Sequence, residues 1–372
     1  MREYDARNTG YHPGTTGPKE LDTEKDVAWE FPDPRTNNSE APEPELMSID
    51  SLDSPTLGEG EFGSFSTPTI ADGVAYTTYG EHIYAIDAET GEEKWSDRDI
   101  LGYSSTQVVM DGVVYVGSGD RLYALDAESG EEVWILEMEE GAGDLTVNDG
   151  VVYALSDKLY AIDTETKEEL WSFEPVPIYT PAVKDGLVYV PGPGLELVTD
   201  PETGRDELVR TPDDDAFFAL DAETGEEMWE FELNTDAGGE PVAGDEKVYV
   251  PDRGEGLWAL DPGTGEEDWF FDRDPAHHGL AFAEGTVYVS SSEGTQAVDA
   301  ETGEEIWSHG LGGPLSIADG VVYISGIHAV DAATGQKLFG PDSSTGGGHP
   351  LPVLDGNIYM GGYSVVKLGS GE

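Results

Sequence analysis

The residues of this sequence whose types suit binding or proton transfer are few, and they sit between short apolar runs. Arg121, Lys158, Arg205 and Arg253 each follow a Gly or Asp in such a link, and they are four of only 18 cations in 372 residues. A guanidinium there can grip an anionic group with two parallel N–H bonds, and an ammonium acts on the same group as a point charge. The competing reading is that each cation pairs with a neighbouring carboxylate. His277-His278 and His349 lie at entrances to apolar runs, with Tyr103 and Tyr179 similarly placed. Imidazoles work as bases or metal ligands only where several groups converge, and isolated loop histidines are the simpler alternative. The densest carboxylate run, Asp213-Asp214-Asp215, reads as solvated, because a hard cation needs roughly six to eight converging oxygens.

Other chemistries are excluded by absence. The chain contains no Cys, which removes disulfides, thiolate metal sites, a thiol nucleophile and a lipid-bearing thiol. No Ser/His/Asp spacing, metalloprotease helix motif or phosphate-cradling loop occurs, and Gly346-Gly347-Gly348 has no helix after it. No catalytic residue is assigned, no cofactor is expected, and the metal question stays open.

Charge bounds the partners. Asp and Glu number 78, giving a formal charge of −60. No basic stripe can replace phosphate counterions, so nucleic acid is excluded, and an anionic membrane surface is disfavoured. No apolar run approaches the roughly 18 residues that span a bilayer. Disorder is not implied, because 8 Trp, 17 Tyr and 11 Phe supply a core. The acidity reads as adaptation to a molar-salt solvent and points to a halophilic archaeon.

The elements that position these residues form a repeat. A Gly-containing turn precedes a Val/Tyr run at Asp72-Gly73, Asp111-Gly112, Asp149-Gly150, Asp185-Gly186, Gly244-Asp245, Glu284-Gly285, Asp319-Gly320 and Asp355-Gly356. A second run ending in Asp comes after each of the first seven, as in Tyr84-Ala85-Ile86-Asp87, and Val365-Val366-Lys367-Leu368 is its degenerate eighth form. Then comes Asp-x-x-Thr-Gly-Glu-Glu-x-Trp, whose aromatic positions are Trp95, Trp134, Trp171, Trp229, Trp269, Trp307 and Phe339. Lys167 replaces the Gly in the third copy, so that turn is expected to be strained or of another type. Four short strands per copy without helical periodicity predict an all-β, eight-bladed β-propeller of four-stranded antiparallel blades. The Trp residues read as packing between blades. Trp258 is outside the pattern.

The eighth copy lacks its last strand, and Asp26-Val27-Ala28-Trp29-Glu30-Phe31 matches that missing piece. An N-terminal strand completing the C-terminal blade would leave no open edge. The domain then runs 27–372, after an extension over 1–26. It carries a long Pro/Glu-rich loop over 32–65 and an insertion over 191–215. That insertion is expected to be a functional or mobile loop on the same face as the variable links.

The repeat closely resembles that of the pyrroloquinoline-quinone (PQQ) enzymes, Gly-x-Val-Tyr-Val … Leu-Tyr-Ala-Leu-Asp-x-x-Thr-Gly-x-x-x-Trp, over residues 27–368. The resemblance implies one blade per repeat, with the Trp docked on the next blade near its Thr-Gly turn. The family has two branches. One holds non-catalytic propellers such as the BamB-like assembly lipoproteins, and the other holds quinoprotein alcohol dehydrogenases that bind PQQ and Ca²⁺ in a central funnel. The dehydrogenases resemble longer chains, and they place a vicinal Cys pair, impossible here, beside a Glu/Asn/Asp calcium set and an Asp base.

The reading is therefore a monomeric, non-catalytic binding or scaffolding module. It engages an unknown protein or small molecule at the funnel face through Tyr103, Arg121, Lys158, Tyr179, Arg205, Arg253, His278 and His349. The alternatives are a PQQ- and Ca²⁺-dependent quinoprotein dehydrogenase and, more weakly, a carbohydrate-active enzyme using His278 or His349. The stretch Tyr4 to Pro18 resembles the segment next to a signal peptide or lipid anchor in haloarchaeal PQQ-repeat proteins. An extracytoplasmic mature domain is expected, or a cytoplasmic protein if Met1 is native. The charge also sets a solvent test. Raising KCl from about 0.1 M to above 1 M shortens the screening length from about 10 Å to about 3 Å. The thermal midpoint should climb steeply over that range, and a flat midpoint would refute the solvent-adaptation reading.

Overall fold

The computed structural model describes residues 27–31, 66–97, 107–138, 141–174, 179–199, 206–234, 237–273, 279–324, 328–340, 353–354, 357–360 and 365–369. Among them there is no helix, and the strands form eight four-stranded antiparallel sheets. Seven sheets follow chain order: 69–97, 108–137, 145–173, 182–232, 242–271, 279–309 and 315–339. They are the first to seventh blades of the sequence repeat. Contacts divide the chain into two compact units, one holding the first, second, seventh and eighth blades and the other the third to sixth. In the second unit the first strands of successive blades lie side by side.

Each blade grows from two kinds of turn. The Asp-Gly links have positive φ at both central residues, as at Asp72 (48°) and Gly73 (76°). That combination matches the strand twist, and Asp with Gly adopts it at low steric cost. The pattern recurs with Asp or Glu first at 111, 149, 185, 284 and 319. The fifth copy differs: Gly244 N–H donates to the Lys247 carbonyl across a longer link. In the Thr-Gly turns the repeat Asp accepts from the Thr or Ser three residues on, as Asp221 does from Thr224 N–H and hydroxyl, both at 2.8 Å. These bonds lower the Asp pKa values. The largest contribution comes through the backbone N–H at Asp87, Asp163 and Asp299, and through the hydroxyl at Asp126, Asp221 and Asp261.

The repeat Trp joins one blade to the next. The Nε1–H groups of Trp95, Trp171, Trp229 and Trp269 donate to the carbonyls of Ala127, Ala222, Pro262 and Ala300 at 3.0, 3.0, 2.9 and 3.1 Å. Each acceptor comes directly after the repeat Asp of the following blade. The indole also lies on that blade's turn glycine, so that a Cβ at Gly130, Gly225 or Gly265 would stand 2.6 Å from Trp95, Trp171 or Trp229. A second-strand Tyr reinforces the contact: Tyr76 hydroxyl donates to the same Ala127 carbonyl at 3.0 Å. Burial, then the charges of Asp72 and Asp126, push its pKa up to about 12, so the hydroxyl stays a donor. Trp134 and Trp307 are buried against Tyr115 and Tyr288, and Phe339 packs on Tyr323. The docking expected of the repeat aromatic is what holds successive blades together within a unit.

The eighth sheet has the expected mixed parentage. Strand 27–31 pairs antiparallel with 365–369, which pairs with 357–360 and then 353–354. Val27 stands opposite Leu368 and Trp29 opposite Lys367, with Ala28 bulged between them. Elsewhere the same bulge leaves Glu93 opposite Ile86 and Trp95 opposite Ala85. The N-terminal strand thus takes the register of a fourth strand, residue for residue.

The insertion corrects one expectation. Residues 191–199 and 206–215 are strand, not loop: the fourth blade's second and third strands run on as a hairpin, 187–199 against 206–221. Pairing extends to Thr199 opposite Asp206, with an irregularity between Pro193 and Leu195. Strand continuation satisfies backbone groups that a long loop would leave to water. Asp213-Asp214-Asp215 belongs to this hairpin.

Lys167 makes the other strained position explicit. Its turn is of the common type, with Lys167 N–H donating to the Asp163 carbonyl at 2.8 Å, and it takes φ +64°. A side chain in that region costs about 1–2 kcal/mol. Lys167→Gly should therefore raise stability by about 1 kcal/mol in denaturant unfolding. Gly225→Ala, with the same φ penalty plus a clash on the Trp171 indole, should lower it by about 2 kcal/mol or more.

Candidate functional site

The two ends of each blade differ in chemistry. The Asp-Gly and Asp-Thr-Gly turns share one end, where they repeat and satisfy their own hydrogen bonds. The opposite end carries the turns between second and third strands, and there the repeat loosens. Several second strands finish in buried polar residues: Thr78, Ser118, Asp252, Ser290 and Ser291. In the first blade this end is closed by Gln107, which is fully buried. Its amide donates to the Thr67 and Tyr76 carbonyls, both at 2.8 Å, and its Oε1 accepts from Ser66 at 3.1 Å.

Of the eight sequence-predicted ligand residues, Arg121, Lys158, Tyr179 and Arg253 are described. Tyr103, Arg205, His278 and His349 lie outside the described residues. Arg121 opens the second blade's third strand, half-exposed, with Asp120 at 3.8 Å and Glu137 at 3.7 Å, both long for ion pairs. Lys158 holds the equivalent place in the third blade, its Nζ 5.2 Å from the centre of the Tyr160 ring. Tyr160 in turn donates to Asp157 at 2.9 Å. Tyr179 packs against the apolar core of the fourth blade, and Arg253 is exposed in the fifth blade's turn. The contacts of Arg121 and Lys158 are with their own blades.

Aligning the third strands reveals a residue that the sequence reading missed. His82, Arg121 and Lys158 occupy one register position in the first three blades, two residues before Tyr84, Tyr123 and Tyr160. Residues two apart on a strand share a face, so each nitrogenous side chain meets its Tyr. His82 lies edge-on to Tyr84 at 6.2 Å. The Tyr123 side chain is the main cause holding Arg121 above its ordinary pKa. That effect comes first from a hydrogen bond between the two side chains, whereas His82 Nδ1 is buried without a hydrogen-bond partner. Buried polar atoms are seldom left so. The signal was present in sequence as His82-x-Tyr84, Arg121-x-Tyr123 and Lys158-x-Tyr160, but no residue type in it announces a function.

The same position is Gly256 in the fifth blade, and that accounts for Trp258. A Cβ on Gly256 would stand 2.4 Å from Phe270, whose ring lies 4.2 Å from that of Trp258. Phe231 closes the other side at 5.3 Å. Trp258 Nε1–H donates to fully buried Asp252 at 3.0 Å, and the same oxygen accepts from Asn234 N–H at 3.0 Å. Asp252 is thus a structural anchor that pins the incoming chain to the turn. PQQ chemistry of the dehydrogenase kind needs a calcium set, and among the described residues no three His, Asp or Glu side chains group to hold a metal ion. The described residues do not fit that requirement.

Comparison with known proteins places this geometry. The family of outer membrane protein assembly factor BamB, built of PQQ-type repeats, matches residues 80–207, 181–280 and 273–372. No curated protein matches the chain. Among solved structures, BamB from Moraxella catarrhalis is similar with TM-score 0.61 and 16% identity, over 81% of this chain and 95% of that one. The computationally designed Ika8 protein gives 0.67 and 15%, over 84% and 98%. Quinohemoprotein alcohol dehydrogenase from Comamonas testosteroni gives 0.65 and 17%, over 98% and 79%. At these identities the likeness establishes the fold class, a β-propeller, and it does so for assembly factor, designed protein and dehydrogenase alike. Removing the anchor tests its role: Asp252→Ala should orphan two partly buried donors and cost about 2 kcal/mol in chemical unfolding, with Asp252→Asn costing less.

Proposed function

We propose that this chain, which belongs to the family of outer membrane protein assembly factor BamB, is a non-catalytic binding module. Its recognition surface is the blade end that carries the second-to-third-strand turns. One observation carries the reading. The third-strand entrances of the first two blades hold His82, whose buried Nδ1 has no hydrogen-bond partner, and Arg121, whose carboxylate neighbours come no nearer than 3.7 Å. A cation beside a Tyr ring, as Lys158 is at the same position of the third blade, suits recognition: it offers charge-assisted donors, and the aromatic body offers contact area at little entropic cost. Proton transfer would instead need paired groups with opposed pKa perturbation, as acid and base sites have. The hairpin over 187–221 adds to this reading, because beyond its flanking strands it presents unpaired main chain at the same end of the fourth blade.

The partner that suits this end of the first two blades offers carboxylates or main-chain groups to Arg121 and His82. A protein segment meets that description better than a small cofactor. Adaptation to molar salt and an extracytoplasmic location accompany the proposal, since a −60 chain without Cys suits a salt-exposed, oxidising compartment. PQQ with Ca²⁺, titrated into the protein in molar salt and followed with alcohols and a dye acceptor, should give neither saturable binding nor turnover. Saturable binding with turnover would move the chain to the dehydrogenase branch.

A further inference from the structure

In seven blades the fourth strand is tied to the third by a short Asp-capped turn, as with Asp87 and Thr90. The eighth blade alone receives its fourth strand from the other end of the sequence, and residues 32–68 separate that strand from the first blade. Its pairing is therefore a docking event between distant parts of the chain. We infer that strand 27–31 exchanges between copies, so that the outer edge of strand 365–369 is a docking site whose second occupant is the same strand of another copy of this chain.

Two further observations on the eighth blade support release. The first is the partner opposite the repeat Trp. In the first seven blades an Ala stands opposite the aromatic, and all seven, Ala85, Ala124, Ala161, Ala219, Ala259, Ala297 and Ala329, are fully buried. In the eighth, Lys367 holds that register position opposite Trp29. Lys thus occupies a register position at which the other seven blades have Ala, a departure of the local sequence from the repeat pattern. The second is the missing cap. Gly369 occupies the register of the repeat Asp, so no side-chain acceptor closes a turn there. By contrast, Phe31 packs on Tyr84 of the first blade at 5.7 Å, the contact that Phe173 makes with Phe218 and Phe231 with Trp258. An exchanged strand would find the same ring on the second copy, so the inter-chain pairing reproduces the intra-chain one.

The tether decides which form prevails. A strand held by a long link experiences an effective concentration on the order of 1 mM from its own sheet. At micromolar protein the chain closes on itself and is a monomer. As protein concentration approaches the effective one, strand-exchanged dimers compete, in the manner of domain swapping.

The absence of native Cys makes the test clean. Glu30 and Val366 are register partners. A single-Cys Glu30→Cys chain mixed with a single-Cys Val366→Cys chain should yield an oxidised heterodimer in several-fold excess over a mixture of Glu89→Cys with Val366→Cys, which shares no register. Adding Lys367→Ala to the Val366→Cys chain should slow formation. Hydrogen exchange on the unmodified chain gives a readout free of variants: amides of 27–31 should exchange faster than those of the covalently continuous fourth strand 227–232. Register-specific cross-linking with fast exchange supports the inference. Heterodimer yield no higher than the off-register control, or protection of 27–31 equal to that of 227–232, overturns it.

Discussion

The contact on which the rest depends is the indole of one blade lying on the turn glycine of the next while its N–H reaches that blade's carbonyl. It joins three requirements in one place. The glycine must have positive φ to close the turn, must lack a Cβ to admit the ring, and must come after an Asp whose carboxylate fixes the turn. Each blade thereby specifies its neighbour's position as well as its own shape. A four-stranded sheet alone would leave its apolar faces to water, so blade and interface have to form together, as in other repeat folds. The buried Tyr of the second strand, held protonated by burial, adds a second donor to the same carbonyl. Stability and turn chemistry are consequently the same set of residues at this end of the blade.

That coupling explains why so much of the architecture could be read before any coordinates. The repeat, the blade number and the N-terminal strand's place were legible because glycine, Asp and Trp have few substitutes at their positions and so recur at readable spacing. Even the bulge in the eighth sheet is consistent with this, since Val27-Ala28-Trp29 reproduces the order found at Glu93-Lys94-Trp95. The other end was less legible. The insertion over 191–215 lacks alternation strong enough to announce strands, yet backbone pairing extends the hairpin through it. Trp258 looked anomalous only because its acceptor, Asp252, is an ordinary residue type six positions earlier. His82 went unnoticed since one imidazole two residues before a Tyr is common in any chain. Register, which sequence does not display, turns three such coincidences into a pattern.

The cations sharpen the contrast between the ends. At the Asp-Gly turn end they stitch strands together: Lys184 Nζ donates to the Gly244 carbonyl of the following blade, and Lys247 pairs with Asp268. Arg121 has two carboxylates at its rim and takes up neither closely, although 78 acidic residues surround it in the chain. Surface pairs of this kind contribute little, and they loosen further as salt screens them. An ammonium beside a Tyr ring, as Lys158 is beside Tyr160, draws in contrast on packing that salt does not screen. The third-strand position two residues before a Tyr thus holds cations whose contacts, with a ring at Lys158 and with carboxylates no nearer than 3.7 Å at Arg121, do not depend on close ion pairing.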